Sequence, residues 1–137
     1  MILREGYRPS DDDHEFMNAR QKAYFLRKLR DWKDSIIEES RATMAQLQVD
    51  TLREPDLADR ASSETDWSIE LRTRDRQRKL IGKIDGAIRR LYSDEFGYCE
   101  VTGEPISLAR LEARPIATMS LEAQEKHERI ERISRDD

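Results

Sequence analysis

Two carboxylates three residues apart, Asp56 and Asp59, lie in the short stretch 55–61 between two long segments with helical patterns. Side chains at positions i and i+3 of a turn can face the same way. At the end of two long helices, such carboxylates can reach groups that a globular surface cannot. Two aspartates beside a proline also serve ordinary turn chemistry. The residue types alone therefore leave a structural and a functional interpretation open.

A second set of residues that could bind a ligand follows helical spacing: Arg76, Leu80, Lys83 and Ala87. Positions three or four apart lie on one side of a helix, here about a quarter-turn from the apolar stripe. Two cations on such an edge could bind an anion. Solvated cations on an ordinary helix flank are the alternative explanation.

Two long helices must position these residues. Asp12 and Glu15 resemble a capping box, and no Gly or Pro follows until after Gln48, which predicts a first helix that ends near Arg53. Pro55 disfavours helix in the residue before it. The second helix is predicted to run from about Ser63 to Tyr92, since several N-cap residues precede it. Each helix carries one apolar stripe, Phe25, Leu29, Trp32, Ile36, Met44 and Leu47 in the first and Trp67, Leu71, Ile81, Ile84, Ile88 and Leu91 in the second.

These stripes predict a mainly α fold built on a long antiparallel coiled-coil helical hairpin with its tip near 54–62. Arg74 and Gln77 interrupt the second stripe, so the middle of the hairpin should pack more loosely. Residues 1–12 are predicted to form an N-terminal arm and residues 13–92 the hairpin. Residues 93–137 should form a small globular region with a knuckle and a C-terminal helix capped by Ser120.

Composition narrows the class of function. The chain has 137 residues, a net charge of −4 and dispersed basic residues, which disfavours non-specific nucleic-acid binding and favours a protein partner. No apolar run approaches the length of a membrane span, and the N-terminus lacks the pattern of a signal peptide. We therefore expect a cytoplasmic protein with no membrane association. A single cysteine, Cys99, excludes an internal disulfide.

Several motifs in register resemble the DksA family of bacterial transcription factors. They are Pro-Asp-Leu-Ala-Asp-Arg-Ala at 55–61, Glu-Leu-Arg-Thr-Arg-Asp-Arg at 70–76, Phe-Gly-Tyr-Cys-Glu at 96–100 and Arg-Leu-Glu-Ala-Arg-Pro at 110–115. The resemblance runs from about Glu15 to about Arg129, nearly the whole chain. It implies a non-enzymatic, monomeric factor that binds RNA polymerase and does not bind a specific DNA sequence.

The family resemblance also implies a mechanism. Family members insert the coiled-coil tip into the secondary channel of RNA polymerase and act with the alarmone ppGpp in the stringent response. They repress ribosomal RNA promoters and activate some amino-acid biosynthesis promoters. The tip residues of the family match Asp56, Asp59 and Ala61. Family positions that help to form a ppGpp site match Arg76, Leu80, Lys83, Arg114 and Gln124, the last replacing a common lysine.

The resemblance departs from the family pattern at the zinc knuckle. Typical members place four cysteines there as two Cys-x-x-Cys pairs, a strong signal for structural zinc. The corresponding positions here are Cys99, Thr102, Ser120 and Ala123, and His127 is a poor substitute ligand. The expectation is therefore a variant that lacks the four-cysteine motif, with a metal-free, zinc-finger-like region that binds no zinc and functions independently of it.

Two other functions remain open at this point. A transcript-cleavage accessory factor would also carry acidic residues on a hairpin tip, where they would recruit a second Mg²⁺ to the polymerase active site. A plain coiled-coil adaptor would depend on the apolar stripes and not on Asp56 and Asp59.

Overall fold

A computed structural model describes the backbone of residues 1–53 and 57–136, and the side chains of residues 1–49 and 64–135. The described residues form a short 3-10 helix at Pro9–Asp11 and four α-helices. These are α1 (Ala19–Arg53), α2 (Leu57–Tyr92), α3 (Leu108–Ala113) and α4 (Leu121–Asp136). The prediction of a mainly helical protein is confirmed. No helix in these ranges combines the length and apolar character that crossing a bilayer requires.

The start of α1 differs from the prediction. The Asn18 side chain caps the helix by accepting the backbone N–H of Gln21 at 3.0 Å, and the Gln21 side chain accepts the backbone N–H of Met17 at 2.6 Å. This pair provides the reciprocal capping that was predicted for Asp12 and Glu15. Asp12 does not cap α1, because its carboxylate is buried and accepts hydrogen bonds from Tyr7 and Asn18.

The corner between the two long helices is shorter than predicted. Helix α1 ends at Arg53 as expected, but α2 begins at Leu57, six residues before Ser63. After Pro55 the chain has no further Gly or Pro until Gly82, so nothing local prevents helix formation from Leu57 onward. Helix α2 ends at Tyr92, as predicted.

The described chain divides into two compact units. The first combines Met1–Leu29 with Ile84–Asp137, and the second is Arg30–Lys83. In the first unit, the Phe25 and Phe96 rings pack with centroids 5.2 Å apart. The fully buried side chains around them include Leu29, Ile84, Ala87, Ile106 and Leu111. This core therefore joins the start of α1, the end of α2 and the C-terminal region.

The second unit contains the middle of the two long helices. Ile36 of α1 is buried as predicted, whereas Leu71, which was predicted to lie in the apolar stripe of α2, is 56% exposed. Residues 36–41 of α1 and residues 71–81 of α2 line one groove. The groove lies where Arg74 and Gln77 interrupt the predicted apolar stripe of α2.

A knuckle follows α2 in the first unit. Tyr98 and Pro105 form an antiparallel bridge, and backbone hydrogen bonds join Cys99 N–H to Glu104 O at 2.8 Å and Ile106 N–H to Gly97 O at 2.7 Å. Gly97 and Gly103 adopt positive φ angles at the two turns. These bonds place Cys99 inside the knuckle, where its side chain is 2% exposed.

Candidate functional site

The acidic residues predicted to act at the tip fall where the structure describes least. Asp56 lies outside the described residues. Asp59 and Ala61 belong to the first turns of α2, but their side chains also lie outside the description. The structure therefore does not test the role of these three residues, which stays a prediction.

The cationic edge predicted on α2 is present in part. Arg76 and Lys83 are exposed, and Leu80 between them is half-buried. Arg76 Nη2 lies 3.5 Å from Thr73 Oγ1 of the preceding turn. Ala87, which was predicted to continue this edge, is instead fully buried in the core of the first unit. The edge therefore ends at Lys83.

The two remaining residues predicted to bind ppGpp lie in the first unit. Arg114 follows α3, is exposed, and its backbone N–H donates to Arg110 O at 2.7 Å. Gln124 in α4 is half-buried, and its side-chain amide donates to Glu128 at 3.0 Å. An anion at Gln124 would have to compete with this neighbouring carboxylate for the amide.

Cys99 has an unusual environment for a free thiol. Burial raises the pKa of the Cys99 thiol. Hydrogen bonds from the backbone N–H groups of Ser120, Thr102 and Val101 and from the Thr102 hydroxyl outweigh this effect and lower the pKa to about 6. Hydrogen bonds to the charged form stabilise a thiolate. The Cys99 sulfur therefore lies among donors that favour its deprotonated form.

Of the other three positions of the knuckle, Thr102 and Ser120 accept hydrogen bonds, and Ala123 has no ligand atom in its side chain. Thr102 Oγ1 accepts the backbone N–H of Glu104 at 3.2 Å, and Ser120 Oγ caps α4 by accepting the N–H of Ala123 at 3.2 Å. His127 pairs with Glu131 along the exposed face of α4 at 3.0 Å. Within the described residues, no group of three or more His, Cys, Asp or Glu side chains is arranged to hold a metal ion.

Glu112 is a buried carboxylate that sequence reasoning did not single out. It accepts the Ser10 backbone N–H at 2.7 Å and pairs with Arg8 at 3.1 Å, and Lys28 Nζ donates to its carbonyl oxygen at 2.6 Å. Burial raises the pKa of Glu112, but the bonds from Ser10 and Arg8 outweigh this effect and lower it. Glu112 is the fifth of the six residues of α3 and follows Arg110 and Leu111, so the local sequence gives no signal of its burial.

Asp12, in the N-terminal arm, is a second buried carboxylate. It accepts the Tyr7 hydroxyl at 2.6 Å and contacts His14 and Arg20 at 2.9 and 3.3 Å. The Tyr7 bond holds the pKa of Asp12 well below its usual range. Burial and the Asp12 carboxylate in turn raise the pKa of Tyr7 to about 12. Asp12 and Glu112 therefore anchor the arm to the rest of the first unit.

Two family models match this chain. Residues 21–91 match the N-terminal domain of the DnaK suppressor protein DksA, and residues 94–129 match the prokaryotic dksA/traR C4-type zinc finger. The second match contradicts two predictions, that this chain lacks the zinc motif of the family and that it binds no metal. The region matches a zinc-finger family model, which points to zinc binding in that family.

The error arose because four side chains were used to judge a whole domain. The glycine turns, the bonded Cys99 and the buried core of the knuckle persist without the other three cysteines. Zn²⁺ in a structural site takes four ligands. The side chains at positions 99, 102, 120 and 123 are one thiol, two hydroxyls and one methyl group, and judging zinc binding from these four alone gave the incorrect prediction.

Known proteins match nearly the full length of the chain. A protein of Caulobacter vibrioides named RNA polymerase-binding transcription factor DksA is 63% identical over 137 residues, covering 100% of this chain and 96% of that protein. The Escherichia coli protein of the same name is 42% identical over 108 residues, covering 79% of this chain and 72% of its own length. The solved structure of transcription factor DksA2 from Pseudomonas aeruginosa has a TM-score of 0.82 and 36% identity, with 90% of this chain and 95% of that chain covered. Since the first family model alone spans more than half of the residues, this chain belongs to the DksA family of transcription factors.

Proposed function

We propose that this protein binds bacterial RNA polymerase and regulates transcription. The observation that carries the proposal is the 63% identity over all 137 residues to a relative named as an RNA polymerase-binding transcription factor. The proposal places the protein in the bacterial cytoplasm, where polymerase works, as a monomer without catalytic activity of its own. Direct recognition of a DNA sequence is not part of it.

The long helices supply the means of reaching the active site of polymerase. We take α1 and α2 as an antiparallel coiled-coil hairpin that enters the secondary channel with its acidic corner first. A helix of 35 residues is about 50 Å long, which suits a probe of this kind. Asp56 and Asp59 would then act through their charge near the active site, with Ala61 beside them.

The cationic edge supplies the proposed response to ppGpp. Arg76 and Lys83 are exposed on α2, and Arg114 is exposed after α3, so each cation is available to a polyphosphate. The family resemblance is the basis for assigning these residues, with Leu80 and Gln124, to a site completed by polymerase. The proposed outcome is repression of ribosomal RNA promoters and activation of some amino-acid biosynthesis promoters.

In vitro transcription from a ribosomal RNA promoter tests the role of the tip. Asp59→Asn should abolish repression, and Asp56→Asn should weaken it, while polymerase affinity stays near that of the parent. Asp66→Asn is the matched control, because Asp66 is an exposed aspartate of α2 outside the corner. The tip assignment fails if the Asn variants repress like the parent, or if they lose repression only through lost binding.

Titration of ppGpp in the same assay tests the cationic edge. Lys83→Ala and Arg114→Ala should each raise the ppGpp concentration that gives half of its added effect by about 10-fold or more. The reason is that a charge-assisted hydrogen bond contributes about 1.5–3 kcal/mol to binding. Arg78→Ala is the control, since Arg78 is exposed on another side of α2 and already pairs with Asp75. An equal loss with and without ppGpp would assign both residues to polymerase binding instead.

Two further measurements separate the alternatives. A transcript-cleavage accessory factor would stimulate cleavage of backtracked RNA by purified polymerase, and we expect no cleavage. A plain adaptor would keep its effect on transcription after Asp56 and Asp59 are neutralised.

A further inference from the structure

A groove of about 480 Å³ runs between α1 and α2 in the Arg30–Lys83 unit. Its aliphatic lining includes Ile37 of α1 and Leu71 and Ile81 of α2. Leu71 is 56% exposed, so the groove is open to solvent along α2. Its lining spans residues 71–81 of α2, which is about 15 Å or three turns of helix.

The groove contains an acceptor without a donor. Gln77 lines it, and the side-chain oxygen of Gln77 is buried and accepts no hydrogen bond from any described residue. Leaving a buried carbonyl oxygen unpaired is unfavourable, because it loses its hydrogen bonds to water. A ligand that brings an N–H or O–H group into the groove would remove this cost.

The charges around the groove are mostly positive. Arg41, Arg74 and Arg78 line it together with one acid, Asp75. Asp75 is already neutralised by Arg78 at 2.8 Å and Lys79 at 3.3 Å. In the part of the chain whose side chains are described, Arg41 and Arg74 form no ion pair. Two guanidinium groups are therefore available to an anionic ligand.

This groove is separate from the edge proposed to bind ppGpp. At 100° per residue, the mean direction of Leu71, Arg74 and Ile81 lies roughly 165° around α2 from that of Arg76, Leu80 and Lys83, whereas Asp75 and Gln77 lie nearer to that edge. A ligand in the groove would therefore not cover that edge. The proposed function assigns no bound ligand to this side of α2.

We propose that this groove is a docking site for an acidic amphipathic α-helix of a partner protein. Two adjacent helices present a groove into which a third helix can pack its apolar face. Aliphatic side chains of the partner would contact Leu71 and Ile81, and its carboxylates would pair with Arg41 and Arg74. A polar side chain of the partner would donate to Gln77. Charge complementarity selects an acidic helix over a basic one.

A designed peptide tests the chemistry of the groove in the full-length protein. The probe is a helical peptide of about four turns with leucines at i, i+3 and i+7 spacing and glutamates on both flanks. Its matched control carries lysines in place of the glutamates. Fluorescence anisotropy should show that the glutamate peptide binds at least about 10-fold more tightly than the lysine peptide.

Substitutions then locate the site. Leu71→Asn and Arg74→Glu should each weaken binding of the glutamate peptide about 10-fold or more. Ile69→Asn and Arg72→Glu are matched controls and should bind like the parent. Ile69 is 55% exposed, nearly the same as Leu71, but lies about 160° from Leu71 by helical geometry and does not line the groove. Circular dichroism of each variant checks that the helices remain formed.

Three results would overturn the proposal. Equal binding of the two peptides would remove the argument from charge, and unchanged binding by the Leu71 and Arg74 variants would place the peptide elsewhere. The third result would be a parent protein that sediments as a dimer, together with an Arg74→Glu variant that sediments as a monomer. That result would mean that a second copy of this chain occupies the groove.

Discussion

Gly97 should be the glycine of this protein least able to accept a side chain. Its φ angle is +91°, and a Cβ atom added there would lie 3.0 Å from Met17 Cε and 3.2 Å from Phe16 Cζ. The left-handed backbone costs about 1–2 kcal/mol for a residue with a Cβ. Crowding a packed contact costs about 1–3 kcal/mol more. Gly97→Ala should therefore lower the free energy of unfolding by roughly 2–5 kcal/mol.

Gly103 provides the matched control for this prediction. It has a φ angle of +74°, but a Cβ atom there would meet nothing within 4 Å. Gly103→Ala should therefore show only the backbone cost of about 1–2 kcal/mol. The difference between the two variants isolates the contact of the knuckle with Phe16 and Met17, which precede α1.

Urea unfolding followed by circular dichroism measures both variants, and thermal unfolding provides a second estimate. One kcal/mol corresponds to about 2–8 °C in the midpoint for a chain of this size. The reasoning is refuted if Gly97→Ala and Gly103→Ala are equally destabilised, because the crowding would then contribute nothing. It is also refuted if Gly97→Ala unfolds like the parent.

Three further predictions concern buried polar groups. Asp12→Asn should lower stability at pH 7. Because the pKa of Asp12 is lowered in the folded chain, its carboxylate stabilises the fold fully above the unfolded-state pKa of about 4. The difference in free energy of unfolding between the parent and Asp12→Asn should narrow as the pH falls below that value. Gln77→Leu should raise the free energy of unfolding by about 1–3 kcal/mol, since it removes an unpaired buried acceptor; unchanged urea unfolding would contradict this. Glu112→Ala should cost about 1–3 kcal/mol by leaving the Ser10 N–H unpaired, whereas Arg8→Ala should cost less than about 1 kcal/mol because Arg8 is largely exposed; equal losses in thermal unfolding would refute the distinction.

The motifs in the sequence were sufficient to identify the family and the two long helices. The absence of Gly and Pro over long stretches, with apolar residues three or four apart, predicts helices whatever their surroundings. Arg53 and Tyr92 were predicted correctly as helix ends, because Pro55 and the turn residues after Tyr92 act locally. The sequence also shows that Arg74 and Gln77 interrupt the apolar stripe of α2, and both residues line the groove.

Three features near these helices depended on the tertiary structure. Asp12 and Asn18 each begin a plausible cap, and the burial of Asp12 against Tyr7 and Arg20 leaves Asn18 to cap α1. Leu71 matches the helical period of the apolar stripe, but it lines the groove and its side chain is exposed to solvent. Ala87 resembles a flank residue but is buried in the core of the first unit.

The C-terminal region shows most directly what the sequence determined and what only the tertiary structure decided. The sequence determined which side chains are present, and one cysteine led to the incorrect prediction of a chain without the zinc-finger motif. The folded chain decided that Cys99 is surrounded by N–H donors, and that Glu112 binds Arg8 across 104 residues of chain. Helical periodicity is a local property that can be seen in a short stretch of sequence. Burial of a charged group depends on partners far along the chain, and only folding brings those partners together.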